Sequence, residues 1–314
     1  MVGNTVAAPA PGGPETTSVS AVGARGERAP SPATRHGAQG GKSFFCDVHR
    51  TKKNGGGYRI IFTTDGVTFR HVDRFLDIPA VAGDKVFVDV LSLNHTDAVI
   101  ELLRRGVEVY YLRRLTLVAK RREELKLSKS SRSDIKVLMS LEEKWFRRVS
   151  EDFLVMRRMI AAYRSLMRIH IQLTNKSKAL SEHERDMLKP VIRAVEEQME
   201  TVAEKISDEA GRRYPAYNRL IEELGICGNA NAMEALAEVL VFPEWRSWRR
   251  TRSYFGMWPR DRRTYFHRSK PARRALERLT ISIKGYGIKS RDLEDILKHL
   301  WLTMKTQKAV SPPA

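Results

Sequence analysis

The sequence predicts an α/β domain built on a mixed β-sheet, followed by a long helical hairpin and a mainly α, strongly basic carboxy-terminal domain. Three observations predict it. Short apolar segments with strand, hairpin and helix signals crowd residues 43–112, two long runs of apolar residues at helical spacing fill 138–206, and the composition turns arginine-rich after residue 244.

Ser43-Phe44-Phe45-Cys46-Asp47-Val48 reads as a buried strand. Tyr58, Ile60 and Phe62 alternate with polar or small neighbours, the period of a half-buried strand. Asp65-Gly66 is a hairpin dipeptide that accepts positive φ, and Val67 to Val72 returns as the next strand. Lys85 to Val90 is a continuous apolar strand of the kind covered on both faces. From His95 to Arg105, the residues Ala98, Val99, Leu102 and Leu103 share one helical face. Gly106 ends that helix, and Val107 to Leu112 is one more strand. Three strands in a meander, then strands separated by helices, is the order of an RNase H-like mixed sheet, assigned to residues 42–137.

Leu138, Leu141, Trp145, Val149, Phe153, Met156, Ile160, Tyr163, Met167 and Ile171 step mostly by three or four. Leu188, Val191, Val195, Met199, Val202 and Ile206 repeat the pattern. Ser181 with Glu184 has the S-x-x-E form of a capping box at the start of the second helix. Pro190 either kinks that helix or marks its first turn. Two such helices joined by a polar connector predict a hairpin arm over 138–214, open to completion by a second subunit; an ordinary helical core gives the same spacing. A helical domain over 215–304 contains the Gly-bearing turn Ile226-Cys227-Gly228-Asn229, and 305–314 is a short tail. Residues 1–41, rich in Ala, Gly, Pro and Ser, bury too little to offset chain entropy and are expected to be disordered.

The chain carries 56 Lys+Arg against 37 Asp+Glu, a formal net charge of +19. Such an excess repels itself unless a polyanion neutralises it, which points to nucleic acid. No apolar run approaches the roughly 18 residues of a spanning helix, so a membrane partner is not expected. Two distant cysteines, Cys46 and Cys227, exclude a disulfide framework and a four-cysteine zinc site and suit a reducing compartment. The expected location is the cytoplasm, associated with the nucleoid.

Between Glu244 and Arg274 the cations concentrate: Arg246, Arg249, Arg250, Arg252, Arg260, Arg262, Arg263, Arg268, Lys270, Arg273 and Arg274 face only Glu244 and Asp261. Trp245, Trp248, Tyr254, Phe255, Trp258, Tyr265 and Phe266 are interleaved. Guanidinium groups grip phosphates, and aromatic rings stack on bases or brace the backbone, so this window is expected to contact nucleic acid. A solvated basic face over core aromatics is the plainer reading.

In an RNase H-like fold the chemistry lies with carboxylates at strand ends that hold two Mg²⁺ about 4 Å apart. Asp47 lies inside the first strand, Asp89 at the end of the fourth, and Asp134 follows the basic stretch Lys120-Arg121-Arg122 at the start of the long helix. An aspartate in an apolar strand is costly as an anion unless a metal or partner compensates.

Phe45-Cys46-Asp47-Val48-His49-Arg50, Val88-Asp89-Val90 and Lys129-Ser130-Ser131-Arg132-Ser133-Asp134-Ile135 occur in that order. They resemble the motifs G-I-D-V-H-K, V-V-E-A-T-G and K-T-D-R-x-D-A of the IS-one-ten class of insertion-sequence transposases, a DEDD, RuvC-like family. The strand from Gly106 to Leu112, with the helix before it, is similar to A-L-x-x-x-G-x-x-V-x-V-V-N-P. Gly225-Ile226-Cys227-Gly228 looks like P-G-I-G without the proline, and Ser253-Tyr254-Phe255-Gly256-Met257-Trp258-Pro259-Arg260 like A-Y-x-G-L-x-P-R. The S-G dipeptide falls at Thr264-Tyr265, and His267 to Leu276 resembles K-R-G-N-x-x-L-R.

The resemblance implies a transposase or recombinase that cleaves and rejoins DNA strands. Asp47, Asp89 and Asp134 would hold Mg²⁺, Thr264 would be the nucleophile that links transiently to DNA, and Arg260, Arg262 and Arg263 would grip phosphates around it. It also implies a guide RNA as a second polyanion and a homo-oligomer, dimer or tetramer. Two positions depart. Ser131 stands where the family has its third acid, and a hydroxyl binds metal weakly beside a carboxylate. Thr264 adds a methyl that crowds in-line attack and lacks the flexible glycine beside it. A relative that binds DNA or RNA without cutting, and a RuvC-like junction nuclease with no covalent step, are the alternatives.

Overall fold

The computed structural model describes residues 41–50, 57–245, 247–257 and 269–310, with backbone only at 50 and 307–310. The expected tail lies, up to Gly40, outside the described residues.

Six strands form one mixed sheet: β1 (Ser43–Arg50), β2 (Tyr58–Thr63), β3 (Arg70–Val72), β4 (Lys85–Val88), β5 (Glu108–Leu112) and β6 (Phe146–Arg148). Their order across the sheet is β3-β2-β1-β4-β5-β6. β2 is antiparallel to β1 and β3, β4 is parallel to β1 and β5, and β6 closes the edge antiparallel to β5. The parallel pair β4–β5 needs a crossover, which α1 (Thr96–Arg104) supplies. At the start of β1 the chain passes tightly against the turn before β4. A Cβ on Gly41 would stand 2.1 Å from the Gly83 carbonyl oxygen, so only glycine fits there.

The meander departs from expectation at two points. β3 begins at Arg70, not Val67, because the Asp65 carboxylate captures the N–H groups of Val67 and Thr68, each at 2.8 Å, and holds them out of the ladder. β2 is not half-buried: Ile60, Ile61 and Phe62 are all buried, because helices cover both faces of the sheet.

The helical remainder comprises α2 (Thr116–Glu124), α3 (Ser131–Ser140), α4 (Glu151–Ser177), α5 (Glu182–Arg213), α6 (Ala216–Leu224), α7 (Ala230–Val241), α8 (Trp248–Tyr254), α9 (Lys270–Lys284) and α10 (Ser290–Val310). The apolar run from Leu138 is not one helix. α3 stops at Ser140, and the chain turns and lays β6 against β5, with Val149 N–H donating to the Val109 carbonyl at 2.8 Å. Ser150 then caps α4 by accepting from Phe153 N–H at 3.2 Å. The expected boundary at residue 137 therefore falls inside the sheet domain, and α10 runs past the one expected at 304.

α4 and α5 pack along one another through a short connector. Ser181 and Glu184 form the expected capping box, while Pro190 falls in the interior of α5 and not in its first turn. The buried residues of α4 end at Tyr163 and those of α5 begin at Ala203, so the far half of the hairpin has only partly buried and exposed side chains. The near half joins the main core, in which Cys46, Val86, Ile160, Ile206, Leu236, Leu276 and Leu297 belong to one continuous cluster. The opposite sheet face packs Phe87, Tyr110 and Phe146 under Val118 of α2 and Val137 and Leu138 of α3.

Candidate functional site

Strand alternation sorts β1 into two rows. Cys46 joins the core beneath α4, and Asp47 points to the opposite face, on which α3 packs. Cys46 is in register with Val88, the last residue of β4, so Asp47 and Asp89 follow side by side on neighbouring parallel strands. Asp89 Oδ1 accepts a hydrogen bond from Val48 N–H at 3.4 Å. Asp47 is 7% exposed.

Two carboxylates in this setting cannot both ionise freely. Burial first, and the Asp47 charge second, push Asp89 up to about 7, against the opposing backbone N–H groups of Val90 and Val48. Burial, Asp89 and Asp47 also drive the Cys46 thiol far above its ordinary range, so this cysteine is an inert core residue. His49 Nδ1 stands 3.5 Å from Asp47 Oδ2, without hydrogen-bond alignment. The loop after Asp89 is tethered from α4, where Arg157 Nη2 donates to the Leu91 carbonyl.

Asp134 is placed differently. It lies in the first turn of α3, which Ser130 caps, and its carboxylate is paired with Arg122 of α2. Among the described residues no group of three or more His, Cys, Asp and Glu side chains stands ready to hold a metal ion. Asp47 and Asp89 are thus brought together, while Asp134 is engaged by a cation that the sequence reading missed. No spacing rule marks Arg122 as that partner; the contact depends on how α2 packs on α3.

Thr264, Arg260, Arg262, Arg263 and Arg268 lie outside the described residues, but the ends of their segment are defined. Ser269 N–H donates to the Tyr254 carbonyl at 2.9 Å, pinching the chain before Trp258 to the chain after Arg268. Burial holds the Tyr254 hydroxyl above its usual range, a shift that Ser269 opposes, Tyr111 adds to, and Arg147 and Arg164 oppose. Tyr111 is in register with Val88. Tyr111 and Tyr254 both pack against the core beneath α4, on the sheet face opposite Asp47.

The remaining basic candidates divide. Arg250, Lys270 and Arg274 are exposed, as is Arg249. Arg252 is spent on Glu294 at 3.1 Å and Arg273 on Glu277 at 2.8 Å. Trp258, Tyr265 and Phe266 lie outside the described residues; of the described aromatics, Trp245 and Phe255 are buried, Trp245 Nε1 donates to the Leu240 carbonyl at 3.0 Å, and Trp248 packs on Trp301 at 5.8 Å. A helix amid an apolar core must bury its large rings, and the arginines are what remains outside.

None of the described helices is long and apolar enough to cross a membrane. Compared with models of known protein families and with curated proteins, the chain matches none.

Proposed function

We propose that this chain is a DNA-processing protein of RNase H-like architecture, a transposase or recombinase that cleaves and rejoins DNA strands and is similar to the IS-one-ten class. The carrying observation is the Asp47–Asp89 pair, Asp47 within β1 and Asp89 just past the end of the parallel β4. An antiparallel meander β3-β2-β1 extended by parallel β4 and β5 supports the RNase H-like reading.

The pair suits a divalent cation such as Mg²⁺. One carboxylate is driven toward its neutral form by burial and by its neighbour's charge, a repulsion that a cation relieves. Asp47 and Asp89 would hold it, and its chemistry there is to bear charge on a phosphodiester oxygen and to sharpen a nucleophile. Asp47 and Asp89 fix the place, and the Arg157 tether orders the loop that carries Asp89. Thr264 is the proposed nucleophile. The Tyr254–Ser269 backbone bond holds together the two ends of the segment that carries Thr264. Arg260, Arg262 and Arg263 would hold phosphates beside it, with Arg249, Arg250, Lys270 and Arg274 extending the contact. DNA, a guide RNA and a second copy of the chain are the proposed partners, in the cytoplasm at the nucleoid.

A second reading, a relative that binds DNA or RNA without cutting, is favoured by one contact. Arg122 occupies Asp134, and Ser131 replaces the neighbouring acid.

Strand nicking of a branched DNA junction in Mg²⁺ separates the readings. Wild type is expected to nick and Asp47→Ala is not. Equal nicking by both removes the metal-site proposal; salt-sensitive binding without nicking by wild type selects the second reading.

A further inference from the structure

The face of the sheet that carries Asp47 has a second feature. His49, two residues on, is in register with Arg59 of β2, and Ile61, opposite Asp47, is in register with His71 of β3. Strand alternation therefore sends Asp47, His49, Arg59 and His71 to one face. Arg132, in the first turn of α3, lays its guanidinium over the Phe69 ring at 5.4 Å.

Arg59 and Arg132 stand near His71. Arg59, His71 and Arg132 are exposed, and among the described residues neither arginine has a carboxylate partner. The neighbouring arginines do: Arg74 pairs with Asp77 at 2.8 Å, and Arg122 with Asp134. The nearby Asp65 carboxylate is consumed by the turn it caps. Burial and then Arg59, Arg132 and His49 hold His71 below its usual range, so these groups are close enough to repel one another. A cluster of like charge stripped of partners favours an anion.

We propose that Arg59, His71 and Arg132 form a ledge that grips the phosphodiester backbone of DNA alongside the Asp47–Asp89 pair. The proposal rests on the reading of the chain as a DNA-processing protein and gives that site its strand-positioning surface.

The test is binding of a fluorescent 30-base-pair DNA duplex by the full chain over a series of salt concentrations. The double substitution Arg59→Ala with Arg132→Ala is expected to weaken binding about tenfold or more near 0.1 M salt. It should also flatten the salt dependence by about two units of slope. A control double, Arg193→Ala with Lys205→Ala, removes the same charge from exposed positions on α5 and should stay within about twofold of wild type. Thermal melts of all three proteins establish that each is folded. Equal affinity of wild type and the Arg59/Arg132 double overturns the ledge, as does an equal loss in the control. Failure of wild type itself to bind the duplex overturns the parent reading along with it.

Discussion

Asp89 stands against Asp47 across the parallel seam of β4 and β1, close enough that the charge of one suppresses ionisation of the other. An apolar residue at either position would spare the sheet a buried like-charge contact, and the arrangement makes sense as a ligand-ready pair.

That contact has a pH signature. The folded-state pKa of Asp89 lies near 7, above the ordinary carboxylate value, so the folded protein binds the extra proton between about pH 4 and 7. Stability therefore falls as pH rises through that window, and the loss is complete above it. Asp89→Asn keeps an acceptor for Val48 N–H and removes the charge. It should raise the melting temperature at pH 8 by a few °C, on the order of 1–2 kcal/mol, and change it little at pH 5. Thermal melts of both proteins at the two pH values check this, and a variant stabilised only at pH 5 would refute it.

Arg278 holds the carboxy-terminal helices to the arm. Its guanidinium reaches Glu234 at 2.6 Å and Glu238 at 3.0 Å, both fully or almost fully buried, and Arg164 of α4 meets Glu238 at 2.6 Å. Burial, only partly offset by Arg278, pushes Glu234 up to about 7. Arg278→Leu strips Glu234 of its ion partner, leaves Glu238 with Arg164, and should cost about 3–5 kcal/mol, whereas Glu234→Gln should cost much less. Denaturant titrations of the two variants decide the ranking.

Ser269 has two tasks at the pinch. Its hydroxyl accepts from Ala272 N–H at 3.3 Å to cap α9, and it also meets the Tyr254 hydroxyl. Ser269→Ala should lower stability by about 1 kcal/mol, and Ser269→Asp, which restores a capping acceptor, should recover part of it. Ser269→Ala keeps the backbone bond to the Tyr254 carbonyl; if the contact of the two hydroxyls helps to position Thr264, the variant also reduces DNA nicking more than its stability loss explains, as measured below the melting transition.

The far end of the hairpin makes a different prediction. The Ser181–Glu184 capping box closes a stretch of α5 that has only partly buried and exposed side chains. Ser181→Ala should speed amide hydrogen exchange over residues 182–185 severalfold and leave the global melting temperature nearly unchanged. A global shift of several degrees would mean the arm's tip supports the core.

Much of this was legible in the sequence because local chemistry dictated it. The strand alternation at Phe44–Val48, Gly106 after α1 and the Ser181 box are encoded within a few residues, and each appears where expected. The Asp47–Asp89 pair followed from one acid inside the first apolar strand and one on the fourth. The Arg122–Asp134 pair, the break between α3 and α4, and the burial of Trp245 and Phe255 were not legible, because each depends on which elements meet across long separations. Arg59 and His71 were invisible for a related reason. Only the β1–β2–β3 register puts them on the face of Asp47.

The central claim is that Asp47 and Asp89 together bind a divalent cation. Calorimetric titration of Mn²⁺ into the wild-type chain at pH 7.5 tests it most directly. Saturable binding that disappears in Asp47→Asn and in Asp89→Asn, with both variants folded, is the predicted result; identical binding isotherms for all three proteins would contradict it.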